Sequence, residues 1–197
     1  AVSAIVPAPV EVGWVPLLAG LALARAITAV TEPAGAPLRP TLKWPNDVLL
    51  PEDGNRKVAG ILCEFAAWIG GSAVVIGTGV NVDQSRDELP VDTATSLRIA
   101  GADVRREDLV TAYLDELAAV LRRGPAARSE YRSVCATVGS HVRVHLPAGG
   151  LAEGRAVRVD DSGALVVAVA GGEQAFSAGD VVHVRPADGR GAPTGLA

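Results

Sequence analysis

Two short stretches concentrate the reactive side chains of the first half of the chain: TLKWPNDVLL (41–50) and RKVAGILCEF (56–65). They hold the only lysines, Lys43 and Lys57; every other Lys/Arg-type cation is arginine. A lysine ammonium is a compact point charge on a flexible stem and suits phosphate oxygens, whereas arginine presents a wide planar fork that needs a different pocket. Lysine in just these places points to anion sites whose geometry excludes the wider group. Asparagine is nearly as sparse, with three in the chain, and two of them, Asn46 and Asn81, stand at the ends of apolar runs, beside a carboxylate or near glycines. Asp47 offers hard oxygen ligands, and Asn81 would complete a Mg²⁺ site shared with substrate phosphates. Gly60, Gly77 and Gly79 let a ligand lie against bare backbone. The set suits an anionic small molecule together with a nucleotide phosphate.

Each motif also has a plainer reading. KWPND is a turn in which Pro45 presets φ and Trp44 packs. RKVAGI is a hairpin arm with two solvated cations. GTGVN is a glycine-weakened strand end or bulge; it lacks the third glycine and the following helix of a dinucleotide fingerprint. Only the combination favours the anion site.

The elements that must position these residues follow from periodicity. AVSAIVP reads as a strand. Residues 15–30 are apolar nearly all round and read as a buried helix. TLKW and DVLLP are short strands about the Pro-Asn-Asp turn, and EDGN is a hairpin turn in which Gly54 takes φ > 0. KVAGILCEFAAWI and SAVVIGTGVNV are continuous apolar strands joined at Gly70-Gly71. Residues 85–104 form a polar connection with at most one helical turn. Residues 105–123 are an amphipathic helix with Leu109, Tyr113, Leu117 and Val120 in register, stopped by Gly124-Pro125; AARSEYRSVC is a second, short helix. After Thr137, short alternating runs punctuated by AGG, DSG and GGE read as a small barrel. The expected division is 1–136, 137–186 and a disordered tail, 187–197.

Composition narrows the class. The chain has 197 residues, 49% of them apolar and 20% charged, which is a globular balance. The net charge of −4 and the lack of a basic block argue against a nucleic-acid surface. Cys63 and Cys135 give neither metal spacing nor a disulfide framework, as in a reduced cytoplasm. No apolar run is expected to reach the ~18 residues of a membrane span, and the first residues lack the charged head of a signal peptide.

KWPND, RKVAGILCE and VVIGTGVNV, in this order and spacing, resemble the biotin–protein ligases, and ATSL (94–97) and the C-terminal barrel match too. The resemblance runs from about Ser3 to Arg185. It implies an α/β fold: a mixed, mostly antiparallel sheet packed with helices, similar to class II synthetases, plus an SH3-like β-barrel. It implies formation of biotinyl-5′-AMP from biotin and ATP with Mg²⁺, then transfer of biotin to a lysine of a biotin carboxyl carrier protein. By position, Lys57 and Lys43 would be catalytic. Lys57, Gly60, Leu62, Gly77 and Gly79 would bind biotin. Lys43, Trp44, Asn46 and Asn81 would bind the nucleotide, and Asp47 and Asn81 the metal. The family's upstream Gly/Arg-rich loop, its Ser-Thr-Asn stretch and any DNA-binding helix-turn-helix are not in the chain, which is expected to be the C-terminal part of the catalytic domain plus the barrel. A homodimer through an exposed sheet edge, a cytoplasmic location, and no membrane or nucleic-acid partner are also expected. A lipoate-type acyl ligase and a non-catalytic biotin-binding protein are the alternatives.

Overall fold

A computed structural model of the chain describes residues 1–35, 37–146, 150–177 and 180–183. The first sheet contains β1 (Val2–Pro7), β2 (Thr41–Lys43), β3 (Asp47–Leu50), β4 (Arg56–Trp68) and β5 (Gly71–Val80). Its order is β1-β5-β4-β3-β2, and all neighbours are antiparallel. Helices α1 (Trp14–Thr31), α2 (Arg106–Arg123) and α3 (Pro125–Val134) accompany it.

Period-two alternation makes the sheet two-faced. Ile61, Val74 and Ile76 are buried under the helices, while Ile5, Leu62 and Trp68 are exposed on the opposite face. Each fully buried aliphatic side chain contributes about 1.5–3 kcal/mol to this association. Gly20 brings α1 close: a Cβ there would sit 3.5 Å from Leu42 and 3.7 Å from Ile61. Helix α2 buries Leu109, Tyr113, Leu117 and Val120 on one stripe. Glu107 and Asp108 in its first turn and Arg122 and Arg123 in its last complement the helix dipole.

One expectation needs correction. Helix α1 spans 18 residues with a mean hydropathy of 1.6, long and apolar enough to cross a bilayer by length and composition. It is apolar because it is central: 72% of it is buried inside the protein, and its one charge, Arg25, is paired with Glu116 and Glu130. The 85–104 connection holds a single 3₁₀ turn, Arg86–Glu88, closed by a reciprocal Ser85–Glu88 capping box. Gly54 takes φ 68° at the turn before β4, as expected.

The second sheet contains β6 (His141–His145), β7 (Leu151–Val159), β8 (Leu165–Val169), β9 (Gly172–Phe176) and β10 (Asp180–His183), in the order β10-β6-β7-β8-β9. Val142, Val144, Ala156, Leu165 and Val167 form its buried side. The pairings of the described residues give an antiparallel sheet with β9 and β10 at its ends; closure into a barrel is not among them. The expected tail, 187–197, lies outside the described residues.

Candidate functional site

The two lysines meet. In the first sheet Lys43 pairs with Asp47, Asp47 with Gly60, and Gly60 with Gly79. Directly opposed residues share a face, so these four form one row across β2, β3, β4 and β5. The next pair on that face is Leu62 with Gly77. The row therefore begins with a cation and a carboxylate and continues over bare glycine backbone.

Lys57 joins the row because β4 is irregular. The register passes from Val48–Ala59 to Leu49–Lys57, leaving Val58 as an extra residue. In a regular strand Lys57 and Gly60 would face opposite sides. The bulge re-aims Lys57, and its Nζ lies 3.0 Å from where a Gly60 Cβ would be. From there it reaches Asp47 Oδ1 at 2.5 Å, while Lys43 Nζ stands 3.3 Å from Asp47 Oδ2. One carboxylate thus bridges both lysines. The Asp47 side chain is only 14% exposed, against 45% for Lys57, so the carboxylate is held in place and the Lys57 ammonium faces solvent. The cluster carries one net positive charge over an open, glycine-floored face, an arrangement suited to anions.

Neighbouring segments fix the bulge. The Val58 carbonyl accepts the Asn81 N–H at 2.9 Å. The Lys57 N–H donates to Thr93 O and its carbonyl accepts the Thr95 N–H, both at 2.8 Å, so the ATSL segment lies along Lys57. Asn81 Nδ2 donates to Thr95 O at 2.9 Å. Asn46 is doubly tied to β4: its Nδ2 donates to Ile61 O and its carbonyl accepts the Ile61 N–H. Each amide thus braces backbone through one N–H; a nucleotide could meet the second N–H or the side-chain oxygen, and a metal would take the oxygen.

Trp44 lies elsewhere. Expected beside the nucleotide, it is 1% exposed, and its indole N–H donates to Gly163 O in the second sheet's β7–β8 turn. No face of the ring is open to a base. The sequence offered no signal for this role: an isolated tryptophan in a turn motif does not show which way it packs. Cys63 is half-buried, and burial pushes its thiol up to about 11, so it is protonated at neutral pH and behaves as the expected small hydrophobe.

Among the described residues no three His, Cys, Asp or Glu side chains cluster as a metal cage. A Mg²⁺ held by one carboxylate, an amide oxygen, water and substrate phosphates needs no such cage, and Asp47 and Asn81 supply those two oxygen types. A groove of about 610 Å³ beside α1 and α3 and a cavity of about 330 Å³ between β5 and α2 both lie away from the lysines.

Residues 10–81 match the model of the biotin/lipoate A/B protein ligase family, and residues 137–184 match the biotin protein ligase C terminal domain. The biotin–[acetyl-CoA-carboxylase] ligase of Paracoccus denitrificans is 32% identical over 181 residues, covering 83% of this chain and 70% of that protein. This chain belongs to the biotin–protein ligase family. The Mycobacterium tuberculosis biotin–[acetyl-CoA-carboxylase] ligase is 38% identical over 186 residues, which are 92% of this chain and 66% of that protein. The chain thus spans just under two thirds of this relative, and about half of the bifunctional ligase/repressor of Bacillus subtilis. The Aquifex aeolicus biotin–protein ligase in complex with biotin and ATP superposes with a TM-score of 0.72 at 25% identity, over 93% of this chain and 77% of that one.

Proposed function

We propose that this chain carries the adenylating and transferring site of a biotin–protein ligase. It joins biotin and ATP into biotinyl-5′-AMP, releasing pyrophosphate, and passes the biotinyl group to a lysine of a carboxyl carrier protein in the cytoplasm. The observation that carries this reading is the convergence of Lys43 and Lys57 on Asp47 above the glycine row. Two anions, the biotin carboxylate and the α-phosphate, must approach each other, and fixed cations lower that barrier. In this reading Lys57 faces the biotin carboxylate and then the acyl-phosphate, and Lys43 faces the nucleotide phosphates. Gly60 and Leu62 offer backbone groups to biotin, and Gly77 and Gly79 floor the pocket. Asp47 and Asn81 hold Mg²⁺, which would neutralise phosphate charge, and Asn46 borders the nucleotide. Holding both substrates in line on one rigid sheet supplies much of the remaining rate.

The second domain is read as the family's SH3-like barrel. A second copy of the chain pairs at β1, which has β5 as its only described neighbour; light scattering that stayed monomeric at rising concentration would exclude this.

The test is biotin-dependent exchange of labelled pyrophosphate into ATP with Mg²⁺. Exchange is expected with biotin and not with lipoate. Binding of biotin without exchange would leave a non-catalytic binding protein, and exchange driven by lipoate would move the chain to the lipoate ligases that share the family model.

A further inference from the structure

The second domain reaches the lysine site without contributing a side chain to it. The link is the turn between β7 and β8. Four carbonyls at this corner are taken by donors of the first domain. Arg132 Nε donates to Val159 O at 2.9 Å and its Nη2 to Asp160 O at 3.1 Å. Trp14 Nε1 donates to Asp161 O at 2.8 Å, and Trp44 Nε1 to Gly163 O at 3.0 Å. The fit is close. A Cβ on Gly163, at φ 91°, would sit 2.8 Å from Gly13 O, and one on Gly13 would sit 2.5 Å from Ser162 O. The Asp160 carboxylate ties the turn from inside, accepting from Ser162 N, Ser162 Oγ and Ala164 N.

The segment joining the domains grips the same place. Cys135 bridges to Leu42 as a parallel partner, and Ala136 N donates to Leu42 O at 2.8 Å. The Trp44 N–H then donates to Thr137 Oγ1 at 3.0 Å, a buried bond. Trp44 is the residue after Lys43 and the third before Asp47. It is held by backbone from Thr137 and by ring from Gly163, both in the second domain.

We propose that Thr137 and the Asp160–Gly163 turn are positioning elements for the ligase site: through Trp44 they fix the turn that carries Lys43, Asn46 and Asp47. This rests on the functional reading above. It makes the second domain necessary for phosphate placement, although none of its side chains touches the lysine row. Burial alone does not require this arrangement, since an apolar residue at 137 would seal the seam without binding the Trp44 N–H. A buried N–H left unpaired costs more than the bond's net worth, so the loss should loosen the turn.

Thr137→Val and Thr137→Ser separate the hydroxyl from the volume. In Thr137→Val, amide hydrogen exchange is expected to quicken in residues 41–50 while β7 and β8 keep their protection. KM for ATP should rise about tenfold, with biotin affinity unchanged, and Thr137→Ser should restore both readouts. Unchanged exchange in 41–50 overturns the proposal, and so does faster exchange with unaltered kinetics for ATP. If the unmutated chain shows no biotin-dependent pyrophosphate exchange, the functional reading fails, and amide exchange still decides the positioning alone.

Discussion

The Lys57 ammonium lies 2.5 Å from Asp47 Oδ1, on a carboxylate whose other oxygen faces Lys43. Removing Asp47 would leave two like charges facing each other; removing either lysine leaves the carboxylate one partner. The pair therefore protects the fold against loss of Lys57 while keeping that ammonium ready for an incoming anion.

Lys57→Ala is expected to slow biotinyl-5′-AMP formation by at least about 100-fold. The side chain is nearly half exposed, so the melting temperature should move by no more than about 2 °C. Rapid-quench measurement of the adenylate, beside a thermal melt, checks both. Adenylation at the unmutated rate would remove Lys57 from the chemistry.

Gly60→Ala would place a methyl 3.0 Å from Lys57 Nζ and 3.1 Å from its Cε. These atoms end a flexible side chain, so the sheet should survive and the ammonium should shift. Biotin affinity by calorimetry is expected to weaken about tenfold, as for a misplaced charged hydrogen bond. Equal affinity would mean that biotin does not lie along the glycine row.

Chelation of Mg²⁺ should abolish pyrophosphate exchange. Asp47→Asn should raise the Mg²⁺ concentration needed for half-maximal rate about tenfold, because a carboxylate is the one hard anionic ligand assigned to the ion. Titration of the variant with Mg²⁺ reads this directly; an unaltered midpoint assigns Asp47 to the lysines alone.

Asp53 makes the stability of the ATSL segment pH-dependent. Partial burial pushes its carboxyl up, but hydrogen bonds from Thr95 and Arg86 and the charges of Arg86 and Arg56 outweigh this and hold it below its ordinary 3.8. A lowered folded pKa gives stability that is present above 3.8 and lost as pH falls through the lower folded value. Asp53→Asn should therefore melt about 2–4 °C below the unmutated protein at pH 7, and the gap should close in acid below pH ~4. A constant gap would show that the charge contributes nothing.

Much of this was legible in the sequence, and the exceptions have causes. The helix at 105–123 carried its own stripe of Leu109, Tyr113, Leu117 and Val120, and all four are buried. The motifs named the lysines and glycines that the sheet brings together. Period-two reasoning, however, sets Lys57 and Gly60 on opposite faces, and a bulge at Val58 depends on the partner strand's register, which local sequence does not encode. The burial of Trp44 depends on a turn 119 residues away, and DSG advertised only a chain reversal. Helix α1, read as a buried helix over 15–30, extends one residue further at each end, and its lone charge, Arg25, is accommodated by pairing with two glutamates that only the tertiary fold brings near.

The placement of the three tryptophans gives the molecule its own optical reporters. Trp14 and Trp44 are each 1% exposed with their indole N–H groups on the same turn, and Arg128 and Arg132 stack on Trp14. Trp68, 59% exposed, lies on the open face of the sheet. An aqueous quencher such as iodide reaches Trp68 first, and the emission that remains comes from the seam between the domains. Parting of the domains would therefore be visible as newly quenchable, red-shifted light, with no label attached.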